Sequence, residues 1–100
     1  MTDPATWFAE HTGQVPAELV ERARSYFEQA TGTDLGTRLA GAGERALANA
    51  IAAGTDRRAA LDLLAADALV TLALLEQAER DPASLGEAAV AIRRRGVTGA

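Results

Sequence analysis

Apolar positions recur at helical spacing along most of the chain, and no stretch alternates with the two-residue period of a strand. The densest run is Ala59 to Ala78, AALDLLAADALVTLALLEQA. At about 100° per residue its Leu61, Leu63, Leu64, Leu69, Val70, Leu72, Leu74 and Leu75 leave no wide polar face. A helix that is apolar all round must be surrounded by protein or by lipid. The run falls short of the roughly 18 uncharged residues of a membrane span, and it carries Asp62 and Asp67. An aspartate at mid-helix costs about 2.5 to 3.5 kcal/mol in lipid, so protein is the better surrounding. Thr55-Asp56 can cap the free N–H groups at its start, and Asp81-Pro82 forces the chain out of the helical region at its end. The stretch is read as one long central helix, about 56–80.

The remaining pattern supplies its neighbours. Asp3-Pro4 starts a short helix that a left-handed Gly13 is expected to end; Trp7, Phe8 and His11 share its apolar face. Two aromatics so placed either dock on the body or anchor a partner, and docking is favoured because large exposed aromatic patches are uncommon on monomers. Pro16 opens a second helix, to about Ala30, with Leu19, Val20, Ala23, Tyr26 and Phe27 as a buried stripe. A third runs from Thr33 or Asp34 to Gly54, with Leu35, Leu39, Ala42, Ala46, Leu47, Ala50 and Ile51 on one face. Gly36, Gly41 and Gly43 weaken it by about 1 kcal/mol each. They imply either a break near Gly41 to Gly43, the reading preferred here, or a very close helix crossing. Pro82 starts the last helix, whose inner face is Leu85, Ala88, Ala89 and Ile92. Arg93 to Arg95 suit its dipole, and Gly96 is expected to stop it. The pattern predicts an all-α, single-domain bundle over residues 1–96: four main helices plus a short N-terminal one, packed around the central helix, with 97–100 as a mobile tail.

Composition narrows the function classes. Hydrophobic residues at 48% against 24% charged describe a globular chain, and aromatics at only 4% demand an alanine- and leucine-rich core with closely approaching helices. Without cysteine there is no disulfide, thiolate metal site or cysteine nucleophile. A net charge of -4 and a pI near 4.9 make the molecule acidic, so its field repels nucleic acid and anionic lipid. All ten basic residues are arginine, and Arg93 to Arg95 have no aromatic interleaving, so neither a nucleic-acid nor a membrane partner is expected. The first residues show no cationic segment before an apolar run, and a cytoplasmic location is the expectation.

Catalytic chemistry finds little footing. The single histidine, His11, sits in no Glu-x-x-His motif, and zinc, triad and kinase signatures are missing, so no catalytic residue, metal or cofactor is assigned and an enzyme ranks last. The informative polar residues are Asp67 and Thr71, one turn apart in the apolar helix. A buried Asp67 would need Arg38, Arg45, a second subunit or a ligand. Arg57 and Arg58 stand in the first turn of the central helix, where its dipole disfavours cations. This points to an acidic partner such as Glu44 or a carboxylate of another chain, a solvated pair being the simpler alternative. The other helices total about 85 Å of length. That supplies roughly 2.3 neighbours for the full central helix, or roughly 3.4 for its apolar middle, where encirclement takes about three to four. A symmetric homodimer covering the leftover face is therefore expected. Two functions follow. The first is a small interaction or assembly module, self-associating or binding a protein partner through the Trp7/Phe8 helix or an uncovered face of the central helix. The second is a bundle binding a small apolar ligand around Leu69, Val70 and Leu72, with Asp67 and Thr71 as polar handle.

Overall fold

Local capping chemistry sets most helix boundaries in the computed structural model, which describes residues 3–98 (for Ser84, Leu85, Ala88, Val97 and Thr98, the backbone alone). Asp3 starts α1 (Pro4–His11) by accepting from the Ala5 N–H at 3.1 Å. Pro16 precedes α2 (Ala17–Gln29), and Asp34 starts α3 (Leu35–Ala53) by accepting from the Thr37 N–H at 2.8 Å. Asp56 does the same for α4 (Arg57–Arg80), accepting from the Arg58 N–H at 2.9 Å. A single 3₁₀ turn (Pro82–Ser84) leads into α5 (Leu85–Thr98). The described residues form an all-α bundle of four main helices plus a short N-terminal one.

Two boundaries depart from the glycine rules. Gly13 does not terminate α1 by a left-handed turn; the Thr12 hydroxyl closes it instead, donating to the Phe8 carbonyl at 2.9 Å. Among the described residues Gly54, with φ of 69°, is the glycine that takes that conformation, at the end of α3. Gly96 does not stop α5, which continues to Thr98, so the expected tail loses its first two residues to the helix; residues 99–100 lie outside the described residues.

The break expected near Gly41 to Gly43 is not there. α3 is continuous, and Gly43 instead lets α4 approach closely. A Cβ added at Gly43 would lie 2.9 Å from Val70 Cγ2 and 3.4 Å from the Val70 nitrogen, so the two backbones meet with no room for a side chain. The buried faces match: Leu39, Gly43, Ala46 and Ala50 on α3, and Ala59, Asp62, Ala66, Leu69, Ala73 and Glu76 on α4, each spaced alternately by three and four. Small side chains along both seams let this antiparallel pair, joined by the Gly54 to Asp56 turn, form the largest interface of the molecule.

One side of the α3–α4 pair carries the aromatics. Phe8 stacks on Phe27 with ring centroids 5.1 Å apart, and Trp7, Tyr26, Leu39 and Leu69 are buried around them. Arg38 lays its guanidinium 4.2 Å over the Phe27 ring and donates to the Phe27 carbonyl at 3.2 Å. On the other side α5 packs more lightly: Ile92 is half-buried, while Ala89 is exposed rather than part of an inner face. The 24 residues of α4, about 36 Å long, span nearly the whole 38 Å of the molecule. Its neighbours do not encircle it. Leu63, Leu64 and Leu75 remain 54%, 55% and 39% exposed. Among the described residues no helix is long and apolar enough to cross a membrane.

Candidate functional site

The carboxylate that α4 buries is Asp62, not Asp67. Five residues separate the two, which is about 140° around a helix, so turning one inward turns the other out; Asp67 and Thr71 are both exposed. Neither Arg38, held on Phe27, nor the exposed Arg45 serves Asp67. Asp62 is held by a chain of contacts across three helices. The Asn49 amide donates to the Tyr26 hydroxyl at 2.9 Å, that hydroxyl donates to Asp62 Oδ1 at 2.8 Å, and Arg22 Nε lies 3.6 Å from the same oxygen. With every member partnered, the network pins the register of α2, α3 and α4 at one level.

Burial raises the Tyr26 phenol above its ordinary value; the Asn49 donor opposes the shift and the Asp62 carboxylate adds to it. A raised folded-state value favours the protonated form, so its contribution to stability is complete below the unfolded value of about 10 and is lost as pH rises through the folded one. Ultraviolet titration of this lone tyrosine is expected to show ionisation above about pH 10 in the folded protein. A midpoint at or below that value would mean that the hydroxyl is solvated.

A second polar cluster ties α1 to the far end of α4. Trp7 Nε1 donates to Glu79 Oε1 at 3.3 Å, His11 Nε2 lies 3.4 Å from Glu79 Oε2, and the His11 ring stacks on Trp7 at 3.9 Å. One turn earlier, Glu76 Oε1 accepts from Arg80 Nε at 2.9 Å. Its buried Oε2 has no hydrogen-bond partner and lies over Gly36, where an added Cβ would come within 2.5 Å. The carboxylate thus faces the positive end of the α3 dipole. Both clusters hold helices together, and neither converges on a cleft where a substrate atom could sit. Among the described residues no group of three or more metal-ligating side chains is assembled.

Between its charged ends, much of what α4 offers to solvent is apolar. An open groove of about 500 Å³ runs between α3, α4 and α5, lined by Leu47, Leu63, Leu64, Val70 and Ile92, with Glu44 and Asp67 on its rim. Arg95 pairs with Glu44 there. Val70 and Asp67 belong to this groove; Leu69 and Leu72, expected to line a ligand pocket, are core residues, and Thr71 lies outside the lining. Beside the groove, Leu61, Leu64, Ala68, Thr71, Leu75 and Ala78 form a second seam of alternating three- and four-residue spacing, opposite the buried one. Leu64, Thr71 and Leu75 are exposed along it, and Leu61, Ala68 and Ala78 half-buried. Trp7 and Phe8, at 8% and 1% exposure, are inside the protein and present no anchor to a partner.

At the amino end of α4, among the described residues, only one of the two cations set against its dipole has an acid within reach, the capping Asp56. Arg58 is 3.7 Å from the exposed Asp56, Arg57 makes no ion pair among the described residues, and Glu44 is occupied by Arg95. Sequence reasoning missed Asp62, although a signal existed: the only tyrosine, placed on a buried stripe, needs a partner for its hydroxyl. No protein-family model, curated protein sequence or solved structure matches the chain.

Proposed function

We propose that the protein is a small helical assembly module that associates with a second copy of itself through the outer face of α4. The observation that carries this reading is the exposure of Leu64 and Leu75, 55% and 39%, along the seam of α4 that lies opposite its buried one. Fully burying a leucine contributes about 1.5 to 3 kcal/mol, so covering these leucines with a second copy is favourable. The burial of Trp7 and Phe8 removes the competing route through α1. Native mass spectrometry with light scattering over a concentration series is expected to find a dimer, and Leu64→Arg to return it to monomer with helix content unchanged. A Leu64→Arg protein that assembles like the parent would reject the role of this face.

A second reading has its own support. The α3–α4–α5 groove, at about 500 Å³, falls in the size range of small-molecule sites and is apolar with two carboxylates at its edge. A small molecule retained on a monomer in the same native spectra would favour ligand binding over assembly.

A further inference from the structure

We infer that the two copies pair α4 against α4 in antiparallel fashion about a two-fold axis, with Leu64 of one opposite Leu75 of the other and the Arg57–Arg58 end against the Glu79–Asp81 end. This rests on the self-association proposed above and names its geometry. The seam Leu61, Leu64, Ala68, Thr71, Leu75, Ala78 has gaps of three, four, three, four and three, so it reads identically in both directions. An antiparallel copy therefore meets it in full register: Leu61 against Ala78, Leu64 against Leu75, Ala68 against Thr71, and the same three layers again beyond the axis. Each layer sets a large side chain against a smaller one or a leucine against a leucine, with the smallest pair beside the axis, where the helices must come closest.

Spacing alone would also permit a parallel pair, and charge decides between them. A parallel pair would stack Arg57 and Arg58 on their own copies and align two helix dipoles. An antiparallel pair brings those cations to the negative end of the other α4, beside Glu79 and Asp81. The complement is prepared on both sides. Arg58 is 75% exposed and weakly held, while Glu79 is half-exposed yet already oriented by Trp7 and His11. Arg80, the cation at that end, donates to Glu76 and Gln77 of its own chain, so its charge is partly engaged within the protomer.

The chain has no cysteine, so single thiols can report the register. Leu64→Cys and Leu75→Cys variants, both at exposed positions, are prepared separately, checked for unchanged helix content by circular dichroism, and oxidised alone and mixed. The expected result is a disulfide-linked dimer joining position 64 to position 75 in the mixture, and little from either variant alone. In this geometry like positions are offset by about 16 Å along the axis, well beyond the roughly 7 Å that a disulfide spans. Cross-links between like positions at equal or higher yield would overturn the antiparallel register, and so would a mixture that fails to cross-link while the parent protein is dimeric; either result leaves self-association standing. A parent protein that is strictly monomeric at every concentration overturns the inference and the self-association together.

Discussion

Gly43→Leu is expected to remove about 3 kcal/mol of stability or more, a large part of the roughly 5 to 15 kcal/mol available to a domain of this size. Its first added atom would already stand 2.9 Å from Val70 Cγ2. Valine in a helix has essentially one side-chain rotamer, so Val70 cannot swing aside. Behind that methyl lie the Val70 nitrogen at 3.4 Å and Leu69 Cβ at 3.5 Å, one of them backbone and the other fixed to it. Room for the remaining atoms of leucine can come only from parting α3 and α4, which share the largest interface in the molecule. Two milder variants give the scale. Gly43→Ala regains about 1 kcal/mol of helix propensity and loses it, or somewhat more, to the same contact. Gly41→Ala meets nothing within 4 Å and is expected to stabilise the protein by about 1 kcal/mol. Urea unfolding followed by circular dichroism measures all three; a Gly43→Leu protein as stable as the parent would show that the crossing is not this close.

Phe8→Ala is expected to lower stability by about 3 kcal/mol and to release α1 from the body. The Phe8 ring is 1% exposed and stacks on Phe27, so its removal leaves a void between α1 and α2. With only eight residues, α1 cannot persist as an isolated helix, and its undocking sets a ceiling on the loss. Trp7, the only tryptophan, reports the event from within: it is 8% exposed, and its emission is expected to shift to the red as α1 leaves and its bond to Glu79 opens. A loss of stability with no change in emission would mean that the void collapses with α1 still in place.

The boundary signals of the sequence were reliable where one side chain satisfies backbone groups within its own turn. Asp3, Asp34 and Asp56 each accept the N–H bonds that their positions foretell, since a cap needs nothing beyond three or four residues of chain. Glycine was a poorer guide. Its missing side chain can end a helix, as at Gly54, or admit a neighbouring backbone, as at Gly43, and the second use depends on what lies across the gap. The same limit governs the candidate site. Tyr26 was legible as a buried residue, but its partner lay 36 positions away in a helix whose every face is apolar.

The sequence by itself determined that the chain forms helices, roughly where each begins, and that one of them is too apolar to stand alone. Only the tertiary structure decided which way that helix faces. α4 carries two seams of heptad spacing, one alanine-rich with Asp62, Leu69 and Glu76, the other with Leu61, Leu64 and Leu75, and hydrophobicity alone would favour the second, which is the one left outside. Packing decides otherwise: α3 presents Ala42, Gly43, Ala46 and Ala50, and two small-residue faces approach more closely than a small face and a leucine face can, which also brings Asp62 under the Tyr26 hydroxyl. Turning that seam inward sends Asp67, Leu64 and Leu75 to the surface, where the functional question now lies.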